Sequence, residues 1–175
     1  SVHSDTLCVP EPLVARVPDG VSHEEAAFTT LTSVAMNAVR RAAPGLGDWA
    51  LIIGQGLVGQ VVAQLSRLAG ARTIVADLYD ARLEKAARLG AEVTINPSLS
   101  NVADAVKQAT EQTGADIVFL CTGGENTEPF RTATLTARDR GRIILVGRTD
   151  NLCTDDRVLY SKELSILAAR GYGPG

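Results

Sequence analysis

The run Leu51-Ile52-Ile53-Gly54-Gln55-Gly56-Leu57-Val58-Gly59-Gln60 leaves this chain few ways to fold. Ala50 to Ile53 is an unbroken apolar stretch, the pattern of a strand buried on both faces. Gly54-x-Gly56-x-x-Gly59 follows with no spacer. Apolar residues then recur at Val58, Val61, Val62, Leu65 and Leu68, a helical spacing. Strand, glycine turn and helix in that order are the context in which this fingerprint takes a dinucleotide. Gly54 permits a tight turn, Gly56 lets a diphosphate approach the main chain, and Gly59 lets the helix lie close to the strand. Gln55, Leu57 and Val58 complete the loop, the last two offering N–H groups at the positive end of the helix.

A glycine-rich turn can also exist with no ligand. What argues against that here is Asp77, 23 residues after Gly54 at the end of a second apolar run, Thr73-Ile74-Val75-Ala76. A carboxylate at about that distance, roughly 20 residues on, can accept the adenosine ribose hydroxyls. The competing role for Asp77 is to open the next helix, but Asp80 stands better for that, just ahead of Ala81-Arg82-Leu83-Glu84. A carboxylate at Asp77 repels a 2′-phosphate, and Leu78 and Tyr79 bring no positive charge, so NAD is expected over NADP. Arg82 is the one cation nearby and is expected to pair with Asp77 or stand in solvent.

The remaining chain alternates short apolar runs with helical patterns. Strands are expected at Glu92–Ile95, Asp116–Leu120, Arg142–Val146 and Leu164–Ala168, with helices at Asp80–Leu89, from a cap at Ser100, at Thr127–Ala137 and near Asp155–Ser161. Ser22-His23-Glu24-Glu25 is a capping box ahead of a helix that breaks near Thr29-Thr30 and resumes to about Arg41. The reading is an α/β, doubly wound Rossmann fold: a six-stranded parallel sheet, order 3-2-1-4-5-6, with helices on both faces. Ligands of such sheets bind at the carboxyl ends of the strands. Those ends carry Gly54–Gly59, Asp77, Cys121-Thr122-Gly123-Gly124, and Val146-Gly147-Arg148. Residues 1–20, with β-like runs broken by Pro10, Pro12 and Pro18, read as the tail of an otherwise missing catalytic domain, and 21–175 as the cofactor domain. A chain that opens on Ser1 and holds one methionine, Met36, is expected to be a piece of a longer polypeptide.

Composition closes several alternatives. A net charge of −3 gives no bulk attraction to nucleic acid or anionic membrane. No apolar run approaches a membrane span, and no signal peptide is visible. Cys8, Cys121 and Cys153 are too irregular for a disulfide framework or a zinc cluster, which points to a reducing, cytoplasmic setting. Two histidines, His3 and His23, both precede the fingerprint, a poor endowment for acid–base chemistry. His23 reads as a surface residue at a helix start. Cys121 reads as a small buried residue at a strand end rather than a nucleophile. Arg148 is open between a solvated loop charge and a contact to the nicotinamide half.

Several stretches together resemble the medium-chain dehydrogenase/reductase family, of the zinc-type alcohol dehydrogenase kind. They are Val14–Ser22 with Glu24-Glu25-Ala26-Ala27, Ile52–Gly59, Leu89-Gly90-Ala91 with Val93–Asn96, Gly114–Val118, and Gly141–Gly147. Ala26–Leu31 and the ending Lys162–Gly175 are further similar to oxidoreductases that fuse this module to a second dehydrogenase of the glucose–fructose oxidoreductase type. The resemblance implies a nicotinamide-dependent parent that moves a hydride to or from an alcohol, carbonyl or enone carbon of a small molecule. It implies a homodimer paired through the sixth strand. It also implies that zinc ligands come mainly from outside this stretch: Leu31 stands where zinc members have a Cys, and Val34 where many have a Thr. Zinc is therefore not expected in this fragment, and no residue here is assigned a catalytic or metal-ligating role.

The cofactor set that follows is Gly54, Gln55, Gly56, Leu57, Val58 and Gly59 on the diphosphate; Asp77, Leu78 and Arg82 on the adenosine; and Cys121, Thr122, Gly123, Val146, Gly147 and Arg148 toward the nicotinamide. Two rivals stay open at this point. One is a module that senses a dinucleotide without chemistry. The other is a methyltransferase, which also uses a glycine turn and an acid after the second strand.

Overall fold

The structure, a computed structural model, describes residues 4–148 and 152–173. His3 and the final Pro174-Gly175 lie outside the described residues. Six parallel strands form one sheet: β1 (Trp49–Ile53), β2 (Arg72–Ala76), β3 (Val93–Ile95), β4 (Ala115–Leu120), β5 (Ala137–Leu145) and β6 (Ser165–Ala168). Their order is β3-β2-β1-β4-β5-β6, as the alternation of strand and helix patterns implies. The middle strands β1, β2 and β4 are mainly apolar, with Arg72, Thr73 and Asp116 toward their starts, because both faces are covered. Leu51, Ile52, Ile74, Val75, Ile117, Val118, Phe119 and Leu120 are all fully buried.

Alternation along each strand divides the core. Ala50, Ile52, Val75, Ile117, Phe119 and Ile144 face one layer of helices: α2 (Thr29–Ala42), α3 (Leu57–Leu68) and α4 (Asp80–Arg88). Leu51, Ile53, Ile74, Val118, Leu120 and Ile143 face the other, α5 (Val102–Ala109) and α6 (Glu128–Thr136). Truncating any of these Leu or Ile side chains to Ala would cost about 2–5 kcal/mol.

The local differences from sequence expectation have physical reasons. Helix α3 buries Gly59, Val62, Ala63 and Ser66, Val58, Val61 and Leu65 pack partly buried against the same core, and Leu68 is 83% exposed. Helix α5 is capped by Asn101, not Ser100: the Asn101 Oδ1 accepts the N–H groups of Ala103 (2.9 Å) and Asp104 (3.3 Å). Asp80 lies inside α4, and Tyr79 is the cap residue. Strand β5 begins at Ala137 rather than Arg142. Ala137 pairs with Ala115, an irregular stretch with Arg140 at φ 58° follows, and pairing resumes at Arg142 opposite Ile117. The polar run Arg138-Asp139-Arg140 disguised that early start.

Before the sheet, Ser22 and Glu25 form the predicted capping box of α1 (His23–Ala27). The helix breaks at Phe28, one residue earlier than expected. Residues 6–9 and 13–17 form no strand; only a short 3-10 turn, Glu11–Leu13, interrupts them, and Leu7, Leu13 and Val14 stand in solvent. Helix α7 (Asp156–Ser161) leads to Lys162, whose Nζ donates to the carbonyls of Thr134 (3.1 Å), Leu135 (3.0 Å) and Ala137 (2.7 Å). That lysine closes the end of α6. Burial pulls its pKa below the ordinary lysine value.

Candidate functional site

Crossovers to opposite sides leave from β1 and β4, which are neighbours, so a crevice opens above their carboxyl ends. Three loops meet there. Gly54 turns the chain at φ 95°, where only glycine is comfortable, and its N–H donates to the Ala76 carbonyl at 2.8 Å. A Cβ on Gly54 would lie 2.8 Å from Thr122 Cγ2, and one on Gly59 would lie 1.9 Å from the Gly54 carbonyl oxygen. A Cβ on Gly147 would lie 2.0 Å from the Thr122 carbonyl oxygen, and one on Gly123 2.9 Å from that of Arg148. These glycines are therefore needed by the packing of the loops on one another. Gly56 differs: nothing lies within 4 Å of its would-be Cβ, so the loop is open on the side away from the fold. It is the cap residue of α3, whose first N–H groups, from Leu57 on, precede the first intrahelical bond. Leu57 is exposed.

Asp77 follows β2 and is 8% exposed. Its Oδ2 accepts the Gln55 N–H at 2.7 Å and the Arg82 Nη1 at 3.3 Å, and its Oδ1 accepts the Tyr79 N–H at 2.9 Å. The carboxylate thus ties the glycine loop to the start of α4, and the Gln55 N–H is spent within the fold. Arg82 pairs with Asp77 as expected, with its guanidinium 4.6 Å above the Tyr79 ring.

Beside Asp77 lies a mostly apolar cavity of about 170 Å³. Ile53, Gly54 and Ala76 form its floor, Leu78, Tyr79 and Arg82 one wall, and Pro97 and Thr122 the other side. Tyr79, Pro97, Ile53 and Ala76 were missed in the sequence. Tyr79 could have been found by its place two residues past the acid, whereas Pro97 arrives from a loop nothing in the local sequence links to Asp77.

On the far side of the crevice, the Cys121 N–H donates to Ile53 and the Val146 and Gly147 N–H groups to Leu120. The Gly124 N–H donates to the Arg148 carbonyl at 3.0 Å, which fastens the loop after β4 to the loop after β5. Cys121 is half-buried, and desolvation pushes its thiol up to about 12. A thiol held neutral in this way is a packing residue, not an activated nucleophile. Leu31 and Val34 are half-buried on α2. Among the described residues, no three His, Cys, Asp or Glu side chains converge to hold a metal ion, and no helix is long and apolar enough to cross a membrane.

Comparison with known proteins places this geometry. The sequence profile of the zinc-binding dehydrogenases matches residues 58–175. The 2-dehydro-3-deoxy-L-galactonate 5-dehydrogenase of Pseudoalteromonas atlantica is 35% identical over 158 residues, which are 90% of this chain and 46% of that protein. Among solved structures, an Escherichia coli oxidoreductase/dehydrogenase of unknown specificity superposes with a TM-score of 0.87 at 29% identity, over 93% of this chain and 47% of its own. A short chain alcohol dehydrogenase of E. coli CFT073, complexed with cofactor NADH, gives 0.82 at 26% identity, over 93% and 48%. The chain spans about half the length of the relatives it matches.

Proposed function

This chain belongs to the zinc-binding dehydrogenase family, and on that footing we propose that residues 21–175 are the dinucleotide-binding domain of an NAD(P)-dependent oxidoreductase. Residues 1–20 would be the tail of a separate catalytic domain. The observation that carries the reading is the meeting, at one crevice, of an open glycine loop, a buried carboxylate and an apolar cavity of about 170 Å³ beside it. The neighbour complexed with NADH supports it.

The residues fit a nicotinamide dinucleotide in order. Gly54 and Gly59 hold the turn and the helix in place, and Gly56 leaves main chain bare for the diphosphate, with the Leu57 and Val58 N–H groups as donors. Asp77, held by three donors, keeps acceptor capacity for ribose hydroxyls. Leu78, Tyr79, Arg82 and Pro97 flank a slot suited to a flat apolar base. Thr122, Gly123, Val146, Gly147 and Arg148, with Cys121 behind them, border the path of the nicotinamide half. The bound cofactor supplies the hydride chemistry; this domain's residues bind it, orient it and exclude water from its adenosine end. Within the whole protein the substrate is an alcohol or carbonyl of small-molecule size, and any zinc ion would find its ligands outside the described residues. We also place the protein in the cytoplasm, as a homodimer through β6, whose Ile166 is 37% exposed at the sheet edge.

Calorimetric titration tests the reading. The 175-residue chain should bind NAD, should ignore S-adenosylmethionine, and should show no dehydrogenase turnover of its own. Absence of NAD binding at millimolar concentration would overturn the assignment. Light scattering at high concentration that finds only monomer would overturn the dimer.

A further inference from the structure

Buried polar atoms in folded proteins have hydrogen-bond partners, and one that lacks them calls for a reason. The Oε1 of Gln60 is such an atom: its residue is 8% exposed and that oxygen has no partner among the described residues. An apolar side chain of similar length would occupy the place without the penalty. What the glutamine contributes lies at its other end. Its Nε2 donates to the Arg82 carbonyl at 2.9 Å and reaches the Gln55 carbonyl at 3.5 Å. Gln55 and Arg82 are also the two residues that meet on Asp77 Oδ2, at 2.7 and 3.3 Å. One side-chain amide on α3 therefore joins from beneath the two segments that surround the carboxylate.

We propose that Gln60 is a positioning residue: it sets the spacing between the glycine loop and the first turn of α4, and so the spacing between diphosphate donors and ribose carboxylate. The inference rests on the dinucleotide reading above. It assigns Gln60 to the adenosine diphosphate half of the ligand, because that half spans both segments and the nicotinamide mononucleotide half spans neither. A glutamine retained at the expense of an orphaned oxygen is a residue kept for geometry rather than for stability.

The test uses the full chain with Gln60→Leu and Gln60→Met. Both substitutions remove the donor and the orphaned oxygen together. The melting temperature should stay level or rise, while affinity for adenosine diphosphate and for NAD falls about tenfold. Affinity for nicotinamide mononucleotide, followed by ligand-observed NMR, should stay within about twofold. Wild-type chain that binds no adenosine diphosphate removes the dinucleotide reading and this inference with it. Wild-type binding with unchanged affinity in both variants leaves the reading and overturns the inference. Variants that melt lower and lose both half-ligands in parallel, or that do not fold, show an ordinary structural role and also overturn it.

Discussion

Replacing Gly59 with Ala puts one methyl group where the fold has no room, and the outcome can be worked from the contacts. The new Cβ would stand 1.9 Å from the Gly54 carbonyl oxygen and 2.9 Å from its carbonyl carbon, both backbone atoms at a turn fixed at φ 95°. Ordinary contact begins at 3.4 Å, so α3 must retreat by about 1.5 Å. That retreat lifts Val62 and Ala63 off Ile52 and its neighbours. A gap of ~0.5–1 Å already forfeits a quarter to a half of each dispersion contact. Overpacking of this kind costs about 1–3 kcal/mol and occasionally more. Alanine returns roughly 0.8–1.0 kcal/mol of helix propensity. A net loss of about 2 kcal/mol follows at the upper end of that range, equivalent to roughly 4–8 °C in melting temperature for a chain of this size. Gly56→Ala is the control. Nothing lies within 4 Å of its Cβ, and its φ of −69° suits any residue. Its stability should change by less than about 1 kcal/mol, yet NAD binding should weaken at least about tenfold because the methyl occupies the approach to the main chain. Urea denaturation and NADH fluorescence titration of both variants decide the matter. Equal stability of Gly59→Ala and wild type, or equal NAD affinity of Gly56→Ala and wild type, would refute the division of labour between the two glycines.

Asp77→Ser should reduce a preference for NAD over NADP of at least about tenfold, ~1.4 kcal/mol, to near parity; parallel titration of the two cofactors checks this, and an unchanged ratio defeats the assignment. Cys8 and Cys153 should react with a thiol reagent at pH 8 in the native protein while Cys121 reacts only on unfolding, because its thiol is pushed up to about 12. Since that folded value lies above the ~8.5 of an unfolded cysteine, its contribution to stability is complete below about pH 8.5 and is lost as pH rises toward 12, a loss that Cys121→Ala should abolish. Lys162→Met removes three bonds at the end of α6 and should lower stability by about 1.5–3 kcal/mol in urea; an unshifted midpoint would show that solvent replaces the lysine.

The strand order, the glycine loop and Asp77 were legible because each is written in contiguous residues: an apolar run, a fixed spacing, a carboxylate at a strand end. Arg82's pairing was legible because a helix start brings the fifth residue back to the loop. What the sequence hid depends on distance along the chain. Pro97 reaches the cavity only because β3 lies beside β2. Gln60 reads as a polar residue on a helix until its amide is seen to touch Gln55 and Arg82. The start of β5 was misjudged because a bulge carries charge through the strand.

The two margins of the sheet differ in kind. Strand β3 is three residues long and is stopped at once by Asn96-Pro97, so it gives an incoming strand little to copy. Strand β6 is longer and mostly apolar, and its outer side is open. A second molecule that added itself at β6 about a two-fold axis would use up the extensible margin of both partners and leave only the blunt ones at the ends. Growth then stops at a closed pair rather than running on as a filament.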